Sequence, residues 1–153
     1  MHKLLVAFTL TIFGTAIAIS APWQTRESLQ QKYVSFLSKK GYFSKIDGDG
    51  DVQFQHDGKT YFIEVNEYDT TFFRIVCPNI WSIDSESERA KVLHACDVVN
   101  KEGKVTKAYT TNDDVWIGTE VFCATTDDYE VYFDRCLKVL KSGIETFVEE
   151  MRE

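Results

Sequence analysis

The sequence predicts an α+β domain in which three helices pack on an antiparallel sheet of five strands. Helical spacing of apolar residues occurs three times, and two runs of short segments joined by tight turns lie between these helices. The resulting order is α-β-β-β-α-β-β-α. Because the strands come in consecutive runs and do not alternate with helices, we expect them to pair antiparallel. Residues 21–153 have the length and aromatic content of a single domain with one core.

The first 20 residues have the pattern of a secretory signal peptide. A short basic start, Met1 to Lys3, precedes an apolar run from Leu4 to Ile19, and small residues lead up to Ala21. We expect cleavage after Ser20 and a mature protein that is periplasmic or secreted. The apolar run is shorter than the roughly 20 residues that a membrane span requires, so no span is expected after the signal is removed. A retained membrane anchor is the alternative.

The first helix is predicted to start after Thr25, a suitable N-cap, and to stop before Gly41. Its apolar face consists of Leu29, Tyr33, Phe36 and Leu37. Three strands should follow, at Val52–His56, Lys59–Asn66 and Thr71–Cys77. The dipeptide Asp57-Gly58 between the first two predicts a two-residue hairpin turn of the primed type.

A capping box predicts the start of the second helix, since Ser85 is followed three residues later by Glu88. Gly103 is its expected end, and its apolar stripe consists of Val92, Leu93, Cys96 and Val99. A hairpin of Lys104–Thr110 and Asp114–Ala124 comes next. The third helix has the strongest pattern, with an apolar face of Tyr129, Phe133, Cys136, Leu137, Leu140, Ile144, Phe147 and Val148.

Charge and motifs exclude several functions. After residue 20 the chain carries 16 basic and 24 acidic side chains, a formal charge of −8, which would repel nucleic acid. The sequence has no nucleotide-binding loop, nucleophile elbow or zinc-protease motif, and no cofactor is expected. Only His56 and His94 would remain as imidazoles in the mature chain. His94 and Cys96 are two apart on a helix and should point in different directions. An enzyme is therefore the third-ranked alternative.

Three aspartates at alternate positions, Asp47, Asp49 and Asp51, suggest a calcium loop. An EF-hand loop needs a glycine at position 6 and a glutamate at position 12, and no register of this stretch supplies both. We therefore predict an acidic turn and no metal site. A calcium-stabilised structural domain that uses these aspartates is the second-ranked alternative.

Four cysteines in an exported chain raise the question of disulfides. Cys77 and Cys123 fall at inward positions near strand ends, while Cys96 and Cys136 lie on apolar helix stripes. We expect buried free thiols that act as small hydrophobic side chains, with one bridge as the alternative.

Both faces of the predicted strands carry large apolar groups, which is unusual for an antiparallel sheet with one solvated face. Either the middle helix, around Val92 to Val99, covers the second face or another protein does. The predicted partner-binding residues are Phe72, Arg74, Trp116 and Phe122 on this face, with Ile80 and Trp81 in the loop after Pro78.

The chain from Gly41 to Met151 resembles the YbjN family of bacterial proteins. The resemblance is carried by GYFSKIDGDGDVQF, YFIEVNEYDTTFFRIVCPNIWSID, VLHACDVVNKE and NDDVWIGTEVF, in this order and spacing. It implies the fold of type III secretion chaperones and a role in sensory transduction regulation or protein interaction, without catalytic residues. The apolar groups on both strand faces, the acidic charge and the absence of a catalytic motif lead us to expect a small, exported, non-catalytic module that binds a protein partner or a second copy of itself.

Overall fold

The computed structural model describes residues 25–153, so the predicted signal peptide lies outside the described residues. The elements are α1 (Arg26–Lys39), β1 (Ser44–Ile46), β2 (Val52–His56), β3 (Lys59–Ile63), β4 (Phe72–Cys77), α2 (Glu86–Glu102), β5 (Thr106–Thr111), β6 (Asp114–Phe122) and α3 (Tyr129–Arg152). The predicted α+β class and the three helices are confirmed. The predicted count of five strands is wrong, because the described part of the chain contains six.

The strand that the prediction omitted is β1. It has only three residues, forms one edge of the sheet and pairs with β2 from Ser44 opposite Phe54 to Ile46 opposite Val52. All three of its residues are at least partly exposed, so they show no alternation of buried and exposed positions. A strand this short forms because β2 is already in place as its template.

The predicted hairpin turn and helix starts are confirmed, with one difference in the capping box of α2. Asp57 and Gly58 both have positive φ, 47° and 72°, as a primed hairpin turn requires. The Thr25 hydroxyl accepts from Ser28 N at the start of α1. At α2, Ser85 Oγ accepts from Glu88 N, while the Glu88 carboxylate bonds the N–H of Asp84 instead of that of Ser85.

The sheet order is β1-β2-β3-β4-β6-β5, and every pairing is antiparallel. Because α2 carries the chain between β4 and β5, the second hairpin returns so that β6 lies against β4. This register runs from Phe72 opposite Phe122 to Cys77 opposite Ile117. It makes β4 a central strand and leaves β5 as the outer edge.

All three helices lie on the same face of the sheet. Phe73 of β4 contacts Tyr33 of α1 and Tyr129 of α3. A Cβ added to Gly143 of α3 would meet Val99 of α2 and Ile117 of β6, and Ile117 shares the sheet face of Phe73. The interpretation that the middle helix covers the second face is therefore wrong.

The core between the helices and the sheet accounts for the apolar stripes. The most fully buried large side chains are Tyr33, Tyr61, Phe54, Phe73, Phe133, Phe147, Leu29, Leu37, Ile63, Ile75, Ile117 and Leu140. All four cysteines are buried and free, as predicted. Within residues 25–153 no helix is both long enough and apolar enough to cross a membrane.

Candidate functional site

The second face of the sheet, here called the open face, is the side turned away from the helices. Its side chains include Phe62, Phe72, Arg74, Val76, Tyr109, Trp116, Glu120 and Phe122. Phe72 and Phe122 stand directly opposite each other on β4 and β6, with ring centroids 5.5 Å apart. Phe122 is 78% exposed, so this aromatic pair is only partly shielded by its neighbours. The structure therefore brings four of the six predicted partner-binding residues onto one surface.

Arg74 is the polar centre of the open face. Its Nη1 donates to Glu64 Oε2 at 2.7 Å, its Nη2 donates to the Tyr109 hydroxyl, and its Nε lies 3.4 Å from Glu120 Oε1. Burial by itself lowers the pKa of Arg74, but the three partners outweigh it and raise the pKa above its ordinary value. The guanidinium therefore stays charged and is held in one orientation.

Next to this centre a glycine lies on the open face. Gly118 stands between Trp116 and Glu120 on β6, opposite Val76 of β4, and neighbouring side chains bury both residues. A Cβ on Gly118 would approach the Ile75 carbonyl oxygen to 3.0 Å, which is closer than most real contacts. Half-buried Trp116 lies beside Gly118 on the same strand, with its ring 6.4 Å from that of Tyr109.

Ile80 and Trp81 do not belong to this surface. Trp81 Nε1 donates to Glu88 Oε1 at 2.8 Å, and the indole ring lies 6.3 Å from the ring of Phe147 in α3. Both Ile80 and Trp81 pack against the core. They hold the loop after β4 onto the helical side and lie away from the open face.

Asn100 of α2, a residue that the sequence analysis missed, closes the outer edge of the sheet. Its Nδ2 donates to the Ala108 carbonyl at 3.0 Å, and its Oδ1 accepts from Ala108 N at 2.8 Å. One carboxamide thus takes both hydrogen bonds that a further strand would make with Ala108. No spacing rule links residues 100 and 108, so the sequence contains no signal for this contact.

The aspartate loop is held by hydrogen bonds within the protein. Asp47 Oδ1 accepts from the N–H groups of Asp49 and Asp51, and Asp51 Oδ1 accepts from Val65 N. Arg26 donates to the Asp49 carbonyl. Across residues 25–153 no group of three or more His, Cys, Asp or Glu side chains is arranged to hold a metal ion.

The residues considered for catalysis are separated. His94 is exposed on α2, whereas Cys96 is 5% exposed, so their side chains point apart as predicted. Burial raises the pKa of Cys96 to about 11, which keeps this thiol neutral at physiological pH and therefore weakly nucleophilic.

Comparisons with known proteins agree with the fold. YbjN from E. coli is similar over 74% of this chain and 87% of its own length, with 8% identity and a TM-score of 0.57. An uncharacterized protein from Methanothermobacter thermautotrophicus is similar over 80% of this chain and 99% of its own, with 11% identity and a TM-score of 0.51. At these identities the likeness concerns the fold alone. No curated protein matches the chain. Residues 29–142 match TY-Chap1, so the chain belongs to this family, described as T3SS (YopN, CesT) and YbjN peptide-binding chaperone 1.

Proposed function

We propose that the protein is a non-catalytic binding module that takes a segment of a partner polypeptide on the open face of its sheet. The observation that carries the proposal is that Phe72, Trp116 and Phe122 lie on a face that none of the three helices covers. Membership of a family described as peptide-binding chaperones supports a polypeptide as the ligand.

The aromatic rings supply the binding energy in this proposal. Binding energy at protein interfaces is concentrated in a few aromatic and arginine side chains, often more than about 2 kcal/mol each on truncation. Phe122 is suited to this role because most of its ring is in water in the free protein and would be buried on binding.

Arg74 supplies orientation. Its partners Glu64, Tyr109 and Glu120 hold the guanidinium in the middle of the sheet before any ligand arrives, so little conformational entropy is lost there on binding. The charged centre between aromatic groups would favour a segment with apolar side chains on either side of a polar group.

A peptide library tests the proposal with a matched pair of variants. Phe122 and Phe43 are similarly exposed, at 78% and 81%, but Phe43 precedes the edge strand β1, which β2 and β3 separate from Phe72 on β4. We expect the wild-type chain to enrich peptides from a phage-displayed library, Phe122→Ser to bind them roughly tenfold or more weakly, and Phe43→Ser to bind them normally. Equal losses in the two variants would refute the assignment to the open face.

A second copy of the chain is the other polypeptide that the open face can bind. Light scattering on wild type and on Trp116→Ser, together with chemical denaturation, separates the two occupants. A concentration-dependent dimer that Trp116→Ser dissociates, with unchanged folding stability, would identify a self-interface. A monomer at all concentrations would leave an external partner.

A further inference from the structure

A groove runs along the helical side of the protein, on the face opposite the open one. It lies where α2 ends beside α3 and the outer strands, and its volume is about 550 Å³. Apolar side chains line most of it: Val99, Val105, Val121, Tyr132 and Val139, with Gly143 at its floor.

The groove forms because regular structure stops at the end of α2 and resumes only at the start of β5. The chain leaves α2 at Gly103 in an extended conformation, and β5 begins only at Thr106, opposite Thr119. Val121 of β6 therefore lies beyond the last residue pair of β5 and β6, and its half-buried side chain lines the groove. A Cβ on Gly143 would lie 2.7 Å from Thr106 Cγ2, so the glycine lets α3 lie close to β5 at one end of the groove.

The shape and the walls of the groove favour an alkyl chain over a peptide. Its lining residues on α3 extend from Tyr132 to Thr146, about 21 Å along the helix axis, so the groove suits an elongated ligand. The backbone groups of α3 are bonded within the helix, and the facing walls present valine side chains. Along α3 an extended peptide would find no free backbone partners for its N–H and C=O groups, whereas an alkyl chain has no such groups to satisfy.

The rim of the groove is locally positive although the chain carries a net charge of −7. Arg135 and Lys104 lie on the rim with one acidic residue, Glu102. None of the residues three or four positions from Arg135 on α3 is acidic. Neither rim cation has a carboxylate within 4.0 Å among residues 25–153.

We propose that this groove binds an anionic amphiphile, a molecule with one long alkyl chain and a carboxylate head. The chain lies against Val99, Val121 and Val139, and the head is next to Arg135. The helix α2 ends at Glu102, where the negative end of its dipole and the Glu102 carboxylate would both repel an anion. The acidic head therefore lies at the Arg135 end of the groove.

Calorimetric titration of the full chain with dodecanoate tests the proposal. Dodecyltrimethylammonium has the same chain with the opposite charge, and we expect it to bind more weakly than dodecanoate. We expect Arg135→Gln to weaken dodecanoate binding about three- to fivefold, since the ion pair between Arg135 and the carboxylate head would be exposed to solvent. Lys138→Gln, on the same helix but outside the groove, should change the affinity by less than about twofold. All variants share residues 1–24, so dodecanoate bound to those residues cannot produce a difference in affinity between the variants.

A second pair of variants tests the apolar walls. Val139→Glu places a charge in the groove and should weaken dodecanoate binding roughly tenfold or more. Leu93→Glu, at an exposed position of α2 outside the groove, should leave it unchanged. Val105→Glu repeats the test at a residue that is 38% exposed, in case Val139→Glu fails to fold. Equal binding of the two amphiphiles, unaltered affinity in the groove variants, or displacement of dodecanoate by library peptides that bind the open face would each overturn the proposal.

Discussion

Replacing Asn100 by alanine is expected to expose the outer edge of the sheet. The substitution removes the two hydrogen bonds to Ala108, at 3.0 and 2.8 Å. Each such bond contributes about 0.5–1.5 kcal/mol net, so the full loss is about 1–3 kcal/mol. Because Asn100 is exposed, water can reach part of the freed backbone, and alanine favours the helix slightly. We therefore expect the free energy of unfolding to fall by about 1–2 kcal/mol.

Asn100→Asp gives the same contact a pH dependence. An ionised aspartate still accepts from Ala108 N, but its second oxygen faces the Ala108 carbonyl oxygen and repels it. This repulsion raises the pKa of the aspartate in the folded state above its unfolded value. When protonated, the side chain can donate to the carbonyl and replace both bonds of asparagine. Relative to wild type, the variant should therefore gain stability as the pH falls from 7 towards about 4.

Urea denaturation followed by circular dichroism measures both effects, and light scattering shows whether the freed edge of β5 leads to self-association. Asp97→Ala, an exposed substitution one turn earlier on α2, is the control for changes in helix propensity. The edge-closing role of Asn100 would be refuted if the alanine variant were as stable as the control and the aspartate variant showed no recovery in acid.

Three further predictions concern other parts of the chain. Gly143→Ala should lower the free energy of unfolding by about 1–3 kcal/mol, because the added methyl group would lie 2.7 Å from Thr106 Cγ2 of β5. Gly48→Ala is the control in the same denaturation assay, since a Cβ at Gly48 would have no atom within 4 Å. Burial raises the pKa of the Cys77 thiol from 9.0 to about 11. The stability contributed by this buried neutral thiol is therefore complete below pH 9 and is lost as the pH rises towards 11. In urea titrations over this interval a Cys77→Val variant should lose less stability than wild type. Millimolar calcium should leave the melting temperature nearly unchanged, because internal N–H groups already occupy oxygens of Asp47 and Asp51; a large shift in a calorimetric scan would restore the calcium alternative.

Local features of the sequence were sufficient for most of the secondary structure. The caps at Thr25 and Ser85, the turn at Asp57-Gly58 and the long apolar face of α3 each depend on residues within one or two turns of each other. The short strand β1 was missed because its existence depends on pairing with β2. The candidate site was predicted in part: strand alternation placed Phe72, Arg74, Trp116 and Phe122 on one face, but it could not exclude the loop residues Ile80 and Trp81.

The sequence by itself determined the three helices, the hairpin turns and which strand residues share a face, because periods of 2 and 3.6 residues are local properties of the backbone. Strand ends were predicted less well: the strands expected at Lys59–Asn66 and Lys104–Thr110 span Lys59–Ile63 and Thr106–Thr111. Only the tertiary structure decided that all three helices lie on one face, that β6 pairs with β4, and that Asn100 reaches Ala108. These features depend on how the crossover through α2 directs the chain over the sheet, and the packing of residues far apart in sequence sets that direction. The open face and the groove both result from this placement of the three helices on one face of the sheet.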